Sequence, residues 1–302
     1  MFENIIGNDG NKKALENILI NNTISHSYIF SGIAGIGKFL FAKEFAKAIL
    51  CTSNNKKPCN TCKSCESFDD LNHPDIVIID EQANSIKTEQ IKEIANSVQE
   101  KPIKGNKKIY IINNSENMTK EAQNSLLKTL EEPPEYILII LITSNENLLL
   151  NTIKSRCIKI PFYELSNKEI NEYFKENRIE IDNNIIDAFG GSIGKAMLLK
   201  DKADVYNKIA EKFNKLEQLN ELDILRMKDQ IFYDKEDIYF ILDYINTLLY
   251  KKILNNISKT DMYNRCIKCV EDTKLRLKRN SNYDMTIDNF CLNMERSLKL
   301  NG

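Results

Sequence analysis

The chain has 302 residues, a length that allows two or three domains with ordinary hydrophobic cores. Its 42 basic and 43 acidic residues nearly cancel, which argues against a strong uniform field that would attract nucleic acid or a membrane. The longest apolar runs are far shorter than the ~20 residues of a membrane span, and the first residues lack the basic and apolar segments of a secretory signal. The sequence therefore predicts a soluble, cytoplasmic protein.

Short β-like runs alternate with helical patterns over the first 162 residues. The runs predict strands at 27–31, 75–80, 108–113, 136–143 and 157–161. Most of these runs are apolar throughout, as expected of a parallel sheet that is covered on both faces. Helical patterns lie between them, at 39–50, 87–99 and 120–131. The last helix stops at Pro133-Pro134, which cannot continue it. The alternation predicts a doubly wound α/β domain over residues 1–162.

Only helical patterns follow the last predicted strand. Ser166 and Glu169 have the spacing of a capping box, which predicts the start of a helix. The small helical units that come next are expected to be interrupted by Gly190, Gly191 and Gly194. Longer amphipathic helices are predicted at 235–255 and 261–278. We therefore expect a small helical lid at 163–202 and an all-α C-terminal domain at 203–302.

The first predicted strand leads into a glycine-rich turn, GIAGIGKF, at residues 32–39. Its members Gly32, Gly35, Gly37 and Lys38 fit the phosphate loop G-x-x-x-x-G-K-[ST]. Phe39 stands where this loop needs the Ser or Thr hydroxyl that binds Mg²⁺. The turn is therefore either a degenerate site, in which Lys38 holds a nucleotide weakly or not at all, or a loop retained for its shape. We favour the loop retained for its shape.

Four of the eight cysteines are clustered at Cys51, Cys59, Cys62 and Cys65. Four thiolates within this span are a donor set that tetrahedral Zn²⁺ prefers, and they leave no open coordination position. We therefore expect a structural zinc module at 51–65, inserted in the α/β domain. Four free surface cysteines are one alternative. An iron–sulfur centre is another, but Asp69 stands at its usual fourth ligand position.

Other candidate residues are weaker. His73 lies close to the cysteines, but we expect a structural role for it and for His26. Cys266 and Cys269 lie in a helical pattern and fit packing better than metal binding. The basic run KLRLKRN at 274–280 ends a long helix, where the helix dipole favours cations, and contact with nucleic acid is the alternative.

Three further stretches carry a specific resemblance. They are IIGNDGNKKALENILINNTISHSYIFSG at 5–32, KKIYIINNSENMTKEAQNSLLKTLEEPPE at 107–135 and TIKSRCIKI at 152–160. Together with the glycine loop and the four cysteines, they resemble the clamp-loader branch of the AAA+ ATPases. The resemblance covers about the first 200 residues, and extends to the helical remainder only in length and character.

The resemblance implies that this chain does not hydrolyse ATP. Active relatives carry Asp and Glu after the third strand, whereas Asn113 and Asn114 stand at the matching positions here. An amide is a poorer Mg²⁺ ligand than a carboxylate, and it cannot act as a base. Gly194, followed by Lys195, occupies the position of a nucleotide-sensing arginine in active relatives. We therefore expect no intrinsic ATPase activity.

The resemblance gives Arg156 a role outside its own chain. In the motif SRC it matches the arginine finger that clamp-loader subunits insert in trans into a neighbour's ATP site. An ordinary salt bridge at a strand entrance is the alternative for this residue.

The function implied is that of a non-hydrolysing subunit of the bacterial DNA polymerase III clamp loader. Its partners in a hetero-oligomeric ring would be the gamma/tau ATPase subunits and the delta subunit, with the C-terminal helices forming a collar. The ring would load the sliding clamp onto primed DNA. An ATP-hydrolysing clamp-loader subunit and a zinc-bearing DNA-binding adaptor are the two alternative functions.

Overall fold

The computed structural model describes residues 1–80, 85–233, 235 and 237–299. The described chain divides into two compact units. The first, called here the sheet unit, comprises Met1–Asn177 and Gly191–Lys195. The second, the helical unit, comprises residues 178–190 and the described chain from 196 onward. The division into three domains at residues 162 and 202 stays a prediction.

A parallel sheet forms the centre of the sheet unit. Its strands in the described chain are β1 (Ser27–Ser31), β2 (Ile76–Ile79), β3 (Lys108–Ile112), β4 (Ile137–Thr143) and β5 (Ile158–Pro161). They lie in the order β2-β3-β4-β1-β5, and each neighbouring pair is parallel. Each predicted strand is confirmed, with ends that differ by at most one residue.

The two faces of the sheet pack against separate clusters of apolar side chains. In β1, Tyr28 and Phe30 belong to one cluster and Ile29 to the other. Strands β3 and β4 alternate in the same way, because successive side chains of a strand point to opposite faces. Both faces of the inner strands β1, β3 and β4 are therefore buried, which explains why these strands are largely apolar instead of alternating with polar residues.

Helices pack against both faces of this sheet, α2 through Phe41 on one face and α4 and α5 through Ile91 and Leu126 on the other. The helices of the sheet unit in the described chain are α1 (Asp9–Ile20), α2 (Lys38–Leu50), α3 (Lys63–Asp69), α4 (Thr88–Ser97), α5 (Lys120–Glu131), α6 (Asn151–Lys154) and α7 (Asn167–Glu176). The predicted capping box at the start of α7 is confirmed, because the Ser166 and Glu169 side chains each accept a hydrogen bond from the other residue's backbone N–H. These helices and the sheet confirm the predicted α/β architecture.

The remaining described elements are helical. They are α8 (Asn183–Ala188), α9 (Ile193–Leu199), α10 (Ala203–Asn214), α11 (Glu221–Leu225), α12 (Met227–Ile231), α13 (Ile238–Asn255), α14 (Thr260–Lys278) and α15 (Tyr283–Lys299). The expected interruption at Gly194 is wrong, because this residue lies in the first turn of α9. Of the helix predicted at 235–255, Glu236 lies outside the described residues.

The helical C-terminal region is confirmed, and aromatic rings form part of its core. Tyr206 of α10 lies against Tyr244 of α13, with ring centroids 5.3 Å apart. None of the helices in the described chain combines the length and the apolar character needed to cross a membrane.

Candidate functional site

The glycine-rich turn joins the end of β1 to the start of α2. Gly32, Gly35 and Gly37 all have positive φ angles, of 149°, 81° and 91°. Side chains are strained in this region, so the turn depends on glycine at these positions. Phe39, the second residue of α2, packs against the core cluster that contains Phe30. The position that would need a Mg²⁺-binding hydroxyl therefore carries a packed aromatic ring.

Lys38, the first residue of α2, is directed back onto its own loop. Its Nζ donates to the carbonyl oxygens of Gly32 at 2.6 Å and Ile33 at 2.7 Å. The side chain is almost fully buried, with 6% of its surface exposed. Burial lowers the pKa of Lys38 to about 8; Glu116 raises this pKa and Lys195 lowers it. Two loop carbonyls thus bind the ammonium group that a phosphate loop offers to phosphate.

Polar residues follow the neighbouring strands at the same edge of the sheet. Asn113, directly after β3, donates from Nδ2 to Asp80 Oδ1 at 2.7 Å. Glu116 accepts hydrogen bonds from the backbone N–H of Ser144, at 3.0 Å, and from the Ser144 hydroxyl. The side chains at this carboxyl edge are therefore bonded to one another. Sequence reasoning missed Glu116, although it lies only two residues after Asn114 and stands near Lys38.

The four clustered cysteines converge in the structure. The Sγ atoms of Cys51, Cys59, Cys62 and Cys65 all lie within 4.8 Å of one another. Tetrahedral Zn–S bonds of about 2.3 Å place sulfur atoms about 3.8 Å apart, and the distance from Cys51 Sγ to Cys62 Sγ is 4.0 Å. Within the described chain, this is the only group of three or more Cys, His, Asp or Glu residues close enough to bind a metal ion.

Backbone N–H groups surround these sulfurs. Cys51 Sγ accepts from the N–H of Ser53 at 3.5 Å and of Cys59 at 3.4 Å. Cys62 Sγ accepts from the N–H of Cys65 at 3.5 Å. The pKa of Cys62 is lowered to about 5, mainly by a hydrogen bond with the Thr52 side chain. Burial raises the pKa of Cys65 to about 12. A bound cation is what would hold the buried Cys65 as a thiolate.

The two alternative ligands near the cysteines are bound elsewhere. Asp69, the fourth position of an iron–sulfur pattern, forms an ion pair with Lys47 at 2.7 Å. His73 Nε2 lies 2.9 Å from the Ser64 hydroxyl, and its Nδ1 accepts from the N–H of Asp75. The donor set that fits a metal therefore consists of the four thiols, which suit Zn²⁺.

Arg156 lies between α6 and the start of β5, with a side chain that is one third exposed (33%). Its Nη2 atom lies 2.8 Å from Glu131 Oε1, and its Nη1 donates to the carbonyl oxygen of Thr152 at 2.8 Å. The Ser27 hydroxyl donates to the Arg156 carbonyl at 2.9 Å, which fixes the backbone. Glu131 belongs to the motif SLLKTLEEPP, so the structure brings together the two motifs that carry the resemblance.

The glycine loop and Arg156 lie at opposite edges of the sheet. The loop follows the carboxyl end of β1, whereas Arg156 precedes the amino end of β5. Strands β1 and β5 are parallel neighbours, with Tyr28 paired to Ile158. A strand of four or five residues is about 15 Å long. Arg156 therefore lies about one strand length from the loop of its own chain, and its side chain remains one third exposed.

Comparison with known proteins identifies the family. Residues 7–166 match the family model described as DNA polymerase III, delta subunit. The chain belongs to this family. This match confirms the predicted resemblance to the clamp-loader branch of the AAA+ ATPases.

Three named relatives align with this chain over different lengths. The delta' subunit of DNA polymerase III from Bacillus subtilis is 36% identical over 167 residues, which are 55% of this chain and 51% of the relative. The tau/gamma subunit from Haemophilus influenzae is 36% identical over 173 residues, 57% of this chain and 25% of the relative. The gamma subunit from Buchnera aphidicola is 29% identical over 288 residues, 92% of this chain and 72% of the relative. The chain thus spans about half of the first relative and a quarter of the second.

The weaker candidates of this delta-family chain have structural contacts. Cys266 is buried in α14, and Cys269 Sγ lies 3.3 Å from the Ser297 hydroxyl. Lys274, the first residue of the basic run, forms ion pairs with Asp243 at 2.7 Å and Glu271 at 2.8 Å. These contacts fit packing and a paired helix surface.

Proposed function

We propose that this chain is a non-hydrolysing subunit of the DNA polymerase III clamp loader. It presents Arg156 to the ATP site of an adjacent subunit and braces the ring that loads the sliding clamp onto primed DNA. Its partners are the gamma/tau ATPase subunits and the delta subunit, in a cytoplasmic hetero-oligomer. The names of the relatives, all subunits of DNA polymerase III, support this assembly.

The position of Arg156 is the observation that carries the proposal. The residue stands at the sheet edge opposite its own glycine loop, so it cannot reach a nucleotide there. Its guanidinium is held by Glu131 and Thr152, yet remains one third exposed. A fixed, accessible guanidinium suits the stabilisation of phosphate charge in trans.

The chain's own loop supports the absence of hydrolysis. Phe39 offers no metal ligand, Lys38 is bonded to loop carbonyls, and Asn113 replaces a carboxylate after β3. Phosphoryl transfer to water needs a metal ion and a group that orients the water. We assign neither function to this chain.

The four clustered cysteines hold a structural Zn²⁺ in this proposal. When bound, the ion would stabilise the fold of residues 51–65 and would take no part in chemistry, because four thiolates complete its tetrahedral shell. The convergence of the sulfur atoms and the N–H groups around them support this assignment.

The test of the proposal has two parts. The purified chain alone, with Mg²⁺ and primed DNA, is expected to show no ATP turnover above background. In an assembly reconstituted with the gamma/tau and delta subunits, Arg156→Ala should lower turnover at the adjacent site by about 10³-fold or more, as loss of an arginine finger does. Rings in which the other ATP sites are inactivated by substitution isolate that site.

Lys154→Ala is the matched control, because it removes a cation two residues away in α6. It should leave turnover unchanged. Turnover that survives at the adjacent site in the Arg156→Ala assembly would refute the role in trans, and turnover by the isolated chain would refute the non-hydrolysing role.

A further inference from the structure

The segment Gly191–Lys195 lies directly on the glycine loop. The backbone N–H of Gly194 donates to the carbonyl oxygen of Gly35 at 3.0 Å. The Ser192 hydroxyl donates to the carbonyl oxygen of Ala34 at 2.9 Å. Both acceptors belong to the loop, so the segment is bonded to the loop through two consecutive carbonyls.

Glycine on both sides makes this contact possible. A Cβ atom on Gly194 would lie 2.9 Å from the Cα of Gly35, closer than real Cβ contacts. A Cβ atom on Gly35 would lie 2.3 Å from the Ser192 hydroxyl oxygen. The Gly194 clash is with backbone, so a side chain at Gly194 requires the segment and the loop to separate.

A third contact fixes the start of the segment, at Gly191, to the sheet unit. The Gly191 carbonyl accepts from the N–H of Leu165 at 3.2 Å. Gly191 has a φ of +88°, and a Cβ there would lie 2.4 Å from Glu164 Cβ. The segment is thus held at its start by the backbone of the sheet unit and at its middle by the loop.

Charged side chains lie around the same loop. Lys38 Nζ is bonded to the Gly32 and Ile33 carbonyls, and Glu116 and Lys195 both lie close enough to Lys38 to shift its pKa, in opposite directions. Lys38 is the ammonium group that an anion in the loop would bind. The loop itself supplies backbone N–H groups at the start of α2, the arrangement that binds phosphate elsewhere.

We infer that the segment Gly191–Lys195 is an internal occupant of the glycine loop that excludes the polyphosphate of a nucleoside triphosphate, and that Gly194 is the specificity-determining residue. This inference deepens the proposed function and rests on it. Separated from the segment, the loop with Lys38 takes a polyphosphate but still lacks the groups for hydrolysis.

The decisive experiment measures ATP binding to the full chain by isothermal titration calorimetry, with and without Mg²⁺. The unaltered chain should show no saturable binding at millimolar ATP. Gly194→Ala should bind ATP at least about tenfold more tightly, because apparent affinity rises in proportion to the fraction of molecules in the open state. Adding Lys38→Met to Gly194→Ala should abolish the gain.

Gly190→Ala is the matched control, because a Cβ atom on Gly190 meets nothing within 4 Å. It should leave ATP binding as in the unaltered chain. Thermal unfolding by circular dichroism shows whether each variant folds. If Gly194→Ala fails to fold, Ser192→Ala decides, since it removes the bond to Ala34 without adding an atom, and it should also bind ATP more tightly.

The outcomes separate the inference from the proposed function. Tight ATP binding by the unaltered chain, or no gain in a folded Gly194→Ala or Ser192→Ala variant, overturns the inference alone. ATP turnover by the unaltered chain overturns the non-hydrolysing role. Binding without turnover in the Gly194→Ala variant supports both.

Discussion

At the scale of single residues, the glycine loop shows how contacts decide the role of a side chain. The pattern of Gly32, Gly37 and Lys38 predicts a phosphate loop, and these residues do form a tight turn after β1. The sequence does not predict that the Gly32 and Ile33 carbonyls point towards Lys38 and accept hydrogen bonds from it. That contact depends on the backbone path, so it had to be observed in the structure.

The lowered pKa of Lys38 predicts a pH dependence of stability. The folded-state pKa of about 8 lies below the unfolded value of 10.5. Between these values the unfolded chain binds the proton and the folded chain does not, so the free energy of unfolding rises with pH across this window. The stability that the neutral form of Lys38 adds to the folded chain is lost as the pH falls from 10.5 towards 8.

Urea denaturation at pH 7.5 and 9.5 tests this prediction against Lys38→Met, which removes the ammonium group and keeps an unbranched side chain that is one atom shorter. Each unit of pKa difference is worth about 1.4 kcal/mol. From pH 7.5 to 9.5, the free energy of unfolding of the unaltered chain should therefore rise by about 1 to 2 kcal/mol more than that of the variant. Equal changes in the two proteins would mean that Lys38 does not titrate in this window.

Two residues that the sequence analysis did not select as site residues, Glu131 and Ser192, form bonds to the predicted site. Glu131 lies within a motif that carries the family resemblance, but its ion pair with Arg156 joins positions far apart in sequence. Ser192 has no motif of its own, and its bond to the Ala34 carbonyl depends on close approach of two glycines. Neither contact follows from the periodicity of the sequence or from the spacing of its motifs.

At the scale of elements, the sequence predicted most of the sheet unit. The strands are continuous apolar runs because both faces of the sheet are buried, and this makes their ends easy to locate. Helix α5 has the predicted bounds, because Thr119 caps its start and Pro133 follows its end. Gly194 was misjudged as a break, since glycine lowers helix propensity but is tolerated in a first turn.

The segment that carries the four clustered cysteines has little regular structure of its own. Residues 51–62 contain no helix or strand in the structure, and α3 begins only at Lys63. Such a segment has few backbone hydrogen bonds to hold it, so a metal bound by four thiolates would supply much of its stability.

Substituting Cys59→Ser should therefore release the metal and loosen residues 51–65. Elemental analysis of the unaltered chain should give one zinc per chain, and the variant should retain far less. Hydrogen exchange should become faster in 51–65 and stay unchanged in β3 and β4. Cys269→Ser, outside the cluster, is the control and should keep one zinc. One full equivalent in the Cys59→Ser protein would show that the ligand set is wrong.

At the scale of the whole molecule, the path of the chain limits what the sequence can predict. Residues 178–190 belong to the helical unit, Gly191–Lys195 return to the sheet unit, and the chain from 196 onward is helical again. Periodicity reveals helices one at a time, but it does not show which unit each segment joins. The linear boundaries at 162 and 202 therefore stay a prediction.

The end of α13 carries apolar side chains that the described chain leaves exposed. Tyr250 and Leu254 are one helical turn apart, and Ile257 follows the end of the helix. Leu254 is 81% and Ile257 82% exposed. Grouped exposed apolar residues of this size are typical of contact surfaces. In the proposed assembly, the C-terminal helices of neighbouring subunits would cover them as part of the collar.

The double substitution Leu254→Glu, Ile257→Glu should therefore prevent assembly while leaving the isolated chain folded. Both side chains are exposed in the single chain, so its melting temperature should change little, as for surface substitutions in general. Buried in a collar, two carboxylates without partners would each cost several kcal/mol, enough to dissociate the subunit. Gel filtration of the mixed gamma/tau, delta and variant chains measures this. Leu222→Glu, an exposed leucine on α11, is the matched control and should still assemble. If the double variant enters the ring as readily as this control, the collar contact lies on another face of the helical unit.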